Sequence, residues 1–312
     1  MKKRPLGKTG LSVSELCLGT WGLSGDAYGP VSAEVAEACV KRALDMGFSL
    51  FDTADVYGGG RMELVLGKLL PKDAIVVTKV GTDRATDPPR KRFDPEWLRG
   101  AVRRSSKRLG REALDLVLLH NPSVEALEGG EAVDVMKGLV AEGAIRHWGV
   151  AAGDDLVARV AIEKDAEVIE LAYSLVHSID LHRIAGDVMV SGAGVLARST
   201  LSHGLLSGYW SKERTFEEGD HRNDRWTRLE LERRVEQLAA LQFLVGGDVR
   251  TLRGAAVRYV LANPIVSSAV LGPRTVEQLE QLVRETGAGP RYLADEQLVK
   301  LPRALQKVGI LT

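Results

Sequence analysis

The chain has 312 residues, 45% hydrophobic and 27% charged, so it can bury the core of one α/β barrel or of two smaller domains. Its 42 basic and 42 acidic residues give a formal net charge of +0, which argues against nucleic acid or an anionic membrane as a partner. The low cysteine content and the lack of a membrane-spanning run or signal peptide favour a soluble, cytoplasmic protein in which Cys17 and Cys39 are buried free thiols.

The chain begins with a predicted β-hairpin over residues 3–14 that turns at Lys8-Thr9-Gly10. From there, apolar strand runs alternate with segments of helical periodicity. The predicted inner strands are 17–19, 49–52, 75–79, 114–120, 145–150, 168–171, 194–197 and 268–271. The first predicted helix is capped by Ser32 and stopped by Gly47, and the third begins at Pro95. The other predicted helices are 62–70, 131–141, 154–164, 179–190, 229–245, 249–261, 275–285 and 295–307.

Eight strands alternating with helices predict a (β/α)8 TIM barrel with an N-terminal β-hairpin cap and extra C-terminal helices, in one domain over residues 1–312. The competing α/β architecture is a doubly wound sheet. No G-x-G-x-x-G follows the first strand, which argues against a Rossmann domain. Residues 199–228 interrupt the alternation, and a loop of that length inside a compact domain is usually functional.

Three successive predicted strands each end in a polar side chain. Asp52, Lys79 and His120 end these strands, and Tyr57 follows on the loop after Asp52. Strand ends of a parallel barrel meet on one face, so we expect the four groups to converge. A phenol has an unperturbed pKa of about 10, and an ammonium beside it lowers that pKa. Lys79, held by Asp52, would thus make Tyr57 a proton donor to a carbonyl oxygen that His120 also contacts. Taken singly, each residue is more often structural, as an ion-pair partner, a rim tyrosine or a core histidine.

These motifs resemble those of the aldo-keto reductases, in particular a bacterial subgroup with arginine at the end of the seventh strand. The matching segments are Leu18-Gly19-Thr20-Trp21, Phe51-Asp52-Thr53-Ala54, Tyr57-Gly58, Thr78-Lys79, Asp115 to His120, Arg146 with Gly149-Val150, Leu205-Leu206-Ser207-Gly208, and Gly272-Pro273-Arg274-Thr275 with Gln278. The resemblance implies a nicotinamide cofactor extended across the C-terminal face of the barrel. It also implies Tyr57 as the general acid, tuned by Lys79 and Asp52, and His120 as the residue that orients the substrate carbonyl.

The same resemblance implies NADP(H) as cofactor and a small-molecule aldehyde or ketone as substrate. It assigns to the cofactor Gly19, Thr20, Trp21, Asp52, Glu170, Arg198, Ser199, Leu201, Gly204, Leu206, Gly272, Arg274 and Gln278. Arg274 precedes the last barrel helix, whose N-terminus is an anion site, and we assign it to the 2′-phosphate that distinguishes NADP. Loop position assigns to the substrate pocket Trp21, Tyr28, Val56, Asn121, Trp210 and Trp226, with packing of the barrel rim as the competing interpretation for each.

The chain departs from the family pattern around the nicotinamide and the adenine. Ala151-Ala152 replace Ser-Asn, Glu170 replaces a glutamine, Arg198 replaces a stacking aromatic, and Leu282 replaces an asparagine. Ionised Glu170 can accept a hydrogen bond from the nicotinamide carboxamide but cannot donate one. Arg198 has two interpretations: it stacks on the nicotinamide, where its charge disfavours the oxidised cofactor, or it pairs with Glu170.

Two functions fit these residues. One is an NADP-dependent oxidoreductase that transfers a hydride from NADPH to an aldehyde or ketone, which the four converging residues support. The other is a catalytically weak nucleotide-binding barrel with a regulatory or partner-binding role, which the missing carboxamide contacts support. We favour the enzyme; the sequence predicts no oligomeric state.

Overall fold

The structure is a computed structural model that describes residues 1–86, 88–287, 289 and 291–311. Its strands are β1 (Lys3–Pro5), β2 (Ser12–Ser14), β3 (Leu16–Gly19), β4 (Leu50–Asp52), β5 (Ile75–Val80), β6 (Thr82–Asp83), β7 (Arg90–Lys91), β8 (Leu114–His120), β9 (Ile145–Ala151), β10 (Val168–Ala172), β11 (Gly194–Arg198) and β12 (Val266–Leu271). Within the described residues, eight parallel strands close a barrel in the order β10-β11-β12-β3-β4-β5-β8-β9. The predicted (β/α)8 TIM barrel is confirmed.

Helices cover the outside of the barrel and its C-terminal end. They are α1 (Ala33–Asp45), α2 (Arg61–Leu69), α3 (Pro95–Leu109), α4 (Val124–Glu128), α5 (Glu131–Ala141), α6 (Asp155–Glu163), α7 (Ile179–Arg183), α8 (Ala185–Ser191), α9 (Arg228–Gln237), α10 (Leu252–Ala262), α11 (Val276–Thr286) and α12 (Asp295–Lys307). Short 3-10 turns cover Gly7–Thr9, Trp21–Leu23, Tyr57–Gly60, Ser202–Ser207 and Leu238–Leu244.

Two predicted helices are divided in the structure. The helix predicted over 179–190 is divided into α7 and α8, and the one predicted over 229–245 is α9 followed by a 3-10 turn. α9 begins earlier than predicted because Thr227 and Glu230 form a capping box, in which each side chain bonds the backbone of the other. The short helix α4 was not predicted.

The predicted N-terminal hairpin is confirmed, and it closes the bottom of the barrel. β1 pairs antiparallel with β2, and Gly10 adopts the left-handed conformation after the 3-10 turn. Leu6 and Val13 from this hairpin are fully buried in the same cluster that fills the barrel interior. The hairpin therefore leaves the C-terminal ends of the barrel strands as the open face.

Cys17 and Cys39 are free and buried, as the sequence predicts. In the part of the chain that the structure describes, no helix combines the length and the apolar character that a bilayer span requires. The single-domain division and the cytoplasmic location stay predictions.

Candidate active site

The polar residues of the site continue the inward-facing rows of the barrel strands. The last interior apolar residues of five strands are Leu50, Val77, Leu118, Val168 and Leu196. Side chains alternate across a strand, so the residue two positions further also faces inward. Those residues are Asp52, Lys79, His120, Glu170 and Arg198. One polar layer therefore lies on top of the apolar barrel core.

Lys79 lies between two carboxylates in this layer. Its Nζ makes a short ion pair with Asp52, lies 3.1 Å from Oε2 of Glu170, and donates to the carbonyl oxygen of Thr53 at 3.2 Å. Lys79, Asp52 and Glu170 are 1%, 4% and 2% exposed, so water does not screen the cluster. Glu170 Oε2 makes no hydrogen bond despite its distance to Lys79, because the angular geometry is unfavourable.

A run of three glycines positions Tyr57. Gly58, Gly59 and Gly60 all have positive φ, which lets the chain turn tightly between β4 and α2. The Asp26 carboxylate accepts from the backbone N–H of Gly58. These contacts hold the ring of Tyr57 with its centroid 5.6 Å from Lys79 Nζ and 6.1 Å from the imidazole of His120.

Burial dominates the protonation of the site. Desolvation raises the pKa of Tyr57 above its usual range; the charge of Lys79 acts in the opposite direction but does not outweigh it. The predicted lowering effect of Lys79 on the Tyr57 pKa is present, but burial outweighs it, so Tyr57 is a neutral phenol. Desolvation likewise lowers the pKa of His120 well below its usual value, which makes the imidazole neutral.

The charges of the carboxylate cluster are strongly linked. Burial alone lowers the pKa of Lys79, but the negative charges of Asp52 and Glu170 raise it above its ordinary value. Burial raises the pKa of Asp52, and the charge of Glu170 raises it further. Lys79 is therefore cationic at neutral pH, and two acidic groups share its positive charge.

A cavity of about 880 Å³ opens over this layer. The predicted residues that line it are Gly19, Trp21, Tyr28, Asp52, Val56, Tyr57, Lys79, His120, Asn121, Glu170, Arg198, Ser199, Leu201, Gly204, Trp210, Gly272, Arg274 and Gln278. The convergence predicted from strand ends is thus present, and the cavity extends from Tyr57 to the start of α11.

Three predicted residues do not line this cavity. Thr20 is buried behind it and donates its hydroxyl to the carbonyl oxygen of Asp52 at 2.9 Å, so it fixes the end of β4. Leu206 is fully buried in the loop after β11. Trp226 packs edge-to-face on two residues that line the cavity, Trp210 and His203, with ring centroids 5.8 Å and 6.2 Å apart.

The proposed pairing of Arg198 with Glu170 is not formed. Arg198 instead donates to the carbonyl oxygen of Ala152 at 2.9 Å and lies 3.5 Å from the hydroxyl of Ser199. Glu170 has turned towards Lys79 across the barrel. In the described residues Arg198 has no carboxylate partner, and its guanidinium lines the cavity as an uncompensated cation.

Arg274 lies at the other end of the cavity, just before α11. Its Nη2 is 3.3 Å from the carbonyl oxygens of Gly29 and Pro30, and its backbone N–H donates to the side chain of Gln278 at 2.9 Å. Arg274 Nε is buried and makes no hydrogen bond within the described chain. Thr275 caps α11, so the helix N-terminus adds its positive end to this part of the cavity.

The sequence did not predict the backbone bridge between two loops beside the cavity. Tyr28 and Asp220 form an isolated β-bridge, and the backbone N–H of His221 donates to Ala27 at 3.0 Å. Arg222 reinforces it by pairing with Asp220 and lying 4.9 Å from the centre of the Tyr28 ring. The many charged and aromatic residues in 199–228 indicated a functional loop, but they did not indicate which part of the chain this loop contacts.

The residues present fit a nicotinamide dinucleotide. The cavity has a volume of about 880 Å³ and is lined by two residues that carry a buried polar atom without a hydrogen-bond partner in the described chain, Glu170 Oε2 in the polar layer and Arg274 Nε just before α11. Arg198 and Arg274 also bring positive charge without a carboxylate partner in the described chain, as an anionic ligand requires. Together, the barrel and its four-residue polar centre define a carbonyl oxidoreductase of the aldo-keto reductase type.

Comparisons with known proteins agree. The aldo/keto reductase family model matches residues 15–288, and the chain belongs to this family. It is 28% identical to pyridoxal 4-dehydrogenase from Microbacterium luteolum, over 90% of this chain and 92% of that protein. It is similar to the structure of glycerol dehydrogenase AKR11B4 from Gluconobacter oxydans (TM-score 0.82, 25% identity, 99% and 97% of the two chains). It is also similar to the holo form of aldo-keto reductase AKR11C1 from Bacillus halodurans (TM-score 0.80, 25% identity, 97% and 96%).

Proposed function

We propose that this protein is an NADP-dependent oxidoreductase that transfers a hydride from NADPH to an aldehyde or ketone, with Tyr57 as the general acid. The observation that carries the proposal is the convergence of Asp52, Lys79, Tyr57 and His120 at the floor of one cavity. Family membership supports nicotinamide-dependent carbonyl chemistry at a coarser level.

The protonation of the site suits carbonyl reduction. Tyr57 is a neutral phenol because of its burial, so it holds the proton that the carbonyl oxygen needs. The ammonium of Lys79 stabilises the phenolate as it develops, since this charge lies near the ring before the reaction starts. His120 is neutral and can donate one N–H to the same substrate oxygen without adding charge.

The bound cofactor would supply the hydride from its nicotinamide ring. Glu170 and Arg198 would hold the nicotinamide end, and the loop that contains Ser199, Leu201 and Gly204 would hold the pyrophosphate. Arg274 supports the assignment of NADP. Its guanidinium lines the cavity just before α11, where the N-terminus of that helix also favours an anion such as the 2′-phosphate.

A catalytically weak nucleotide-binding barrel is the second candidate. It is favoured by Ala152, which has no polar side chain and whose carbonyl oxygen is taken by Arg198. Two relatives are named as dehydrogenases, which supports an enzyme and raises alcohol oxidation as the opposite direction of the same chemistry.

The test combines binding with turnover. NADPH and NADH affinities are measured by quenching of tryptophan fluorescence, and a panel of aldehydes, ketones and sugars is then assayed for consumption of the reduced nucleotide. We expect tight NADPH binding and turnover of at least one carbonyl class. Tight binding without turnover across the panel would favour the weak barrel, and no binding of either nucleotide would contradict both candidates.

A further inference from the structure

The polar layer contains one carboxylate more than it has cations in contact. Asp52 and Glu170 both pair with Lys79, and in the described chain no other Lys, Arg or His lies within salt-bridge distance of either one. Thr53 contributes only a carbonyl oxygen to the ammonium. The cluster is at most 4% exposed, so water and salt screen its charges weakly.

The carboxylate of Glu170 faces the cavity. Glu170 lines the cavity, and its Oε2 is a buried oxygen that accepts no hydrogen bond. Arg198 lies in the same polar layer without a carboxylate partner in the described chain, and its guanidinium is directed to Ala152 and Ser199. The floor of the cavity therefore carries two separated charges of opposite sign, and each can act on a ligand above it.

We propose that Glu170 determines redox-state specificity by increasing affinity for the oxidised, cationic nicotinamide relative to the reduced, neutral one. The inference rests on the proposed function, because it requires a nicotinamide over this floor. A buried carboxylate attracts a pyridinium and has no net charge to attract in a dihydropyridine. Arg198 has the opposite effect, so the wild-type preference is the difference between two opposing contributions.

The substitution Glu170→Gln removes the charge of the side chain while keeping its size and shape. Glutamine has the same length and keeps a hydrogen-bond acceptor, and its added amide donor is available to both redox states. Any change in the ratio of the two affinities then reports the lost charge. Glu167→Gln is the matched control, since it removes a carboxylate from the chain just before β10, where Glu167 contacts His147 away from the cavity.

The experiment measures dissociation constants of NADP+ and NADPH by titration calorimetry for wild type, Glu170→Gln and Glu167→Gln. We expect Glu170→Gln to raise the ratio of the NADP+ to the NADPH dissociation constant about tenfold, and Glu167→Gln to leave it unchanged. Arg198→Gln gives a second test, with an expected fall of the ratio by a similar factor.

The measured ratios of the two dissociation constants can overturn the inference in two ways. A ratio within about twofold of wild type in a folded Glu170→Gln protein would overturn the inference. If Glu170→Gln does not fold, an unchanged ratio in Arg198→Gln would overturn the claim that charges on this floor set the preference. Failure of wild type to bind either nucleotide would instead contradict the proposed function, so the two failures are distinguishable.

Discussion

Lys79 is the cation in contact with both buried carboxylates of the site, as far as the described residues show. Without it, Asp52 and Glu170 would face each other with no cation in contact among the described residues. Like charges that share a buried site cannot both ionise easily, which is consistent with the raised pKa of Asp52. The same lysine thus supports both the chemistry and the stability of the barrel top.

Replacing Lys79 with methionine should therefore damage both properties. We expect the free energy of unfolding to fall by about 3–5 kcal/mol, since a buried ion pair loses one partner, and carbonyl reduction to be lost. Urea unfolding and steady-state turnover measure the two effects. Lys72→Met removes an exposed lysine as a control. Adding Asp52→Asn to Lys79→Met should recover part of the stability; a Lys79→Met protein as stable and active as wild type would exclude the pairing described here.

Asp55 should make stability depend on pH. Its Oδ1 is buried without a hydrogen bond, and burial, with a smaller effect of Glu63, raises the pKa of Asp55 to about 7. An aspartate in an unfolded chain has a pKa of about 3.9, so the folded state holds this proton more tightly. The resulting stability is present at low pH and is lost as pH rises from about 4 to about 7.

Asp55→Asn should remove this dependence. The variant should gain stability relative to wild type between about pH 5 and about pH 8, because asparagine carries no proton to lose. Urea unfolding at both values gives the comparison, and Asp73→Asn, at an exposed position, controls for the loss of a surface carboxylate. An equal difference between wild type and Asp55→Asn at both pH values would show that Asp55 is already ionised in the folded state.

At the scale of the elements, strand alternation explains which site residues the sequence could reveal. Asp52, Lys79 and His120 each follow an inward apolar residue by two positions, so their convergence was predictable. The contact between Lys79 and Glu170 was not, because β5 and β10 are not neighbours in the barrel and sequence spacing does not report distances across it. The pKa values of Tyr57 and His120 could not be predicted either, because they depend on how deeply each side chain is buried.

The start of α11 should set the choice of coenzyme. Arg274→Ala should weaken NADPH more than NADH by roughly 1.5–3 kcal/mol, because it removes a charge-assisted contact to the 2′-phosphate. Arg284→Ala, an exposed substitution in the last turn of the same helix, is the control. Fluorescence titration with both nucleotides gives the comparison. Equal weakening of NADPH and NADH would place Arg274 away from the 2′-phosphate.

At the scale of the molecule, the barrel has a closed apolar bottom and an open polar top. The hairpin and the apolar interior close the bottom, and the polar layer, the cavity and the bridge between Tyr28 and Asp220 lie at the top. The sequence predicted the barrel and the importance of residues 199–228. It did not predict that this segment would pair with Tyr28, because that contact joins residues far apart in the chain.

Tyr57→Phe tests the central claim most directly, since the change removes only the hydroxyl that we assign as the proton donor. NADPH affinity and carbonyl reduction are measured in parallel, with Tyr292→Phe as the control, because the Tyr292 hydroxyl bonds Glu15 outside the active-site cavity. We expect Tyr57→Phe to bind NADPH within about threefold of wild type and to lose about 10²–10⁴-fold in kcat. Wild-type kcat in Tyr57→Phe would contradict the account.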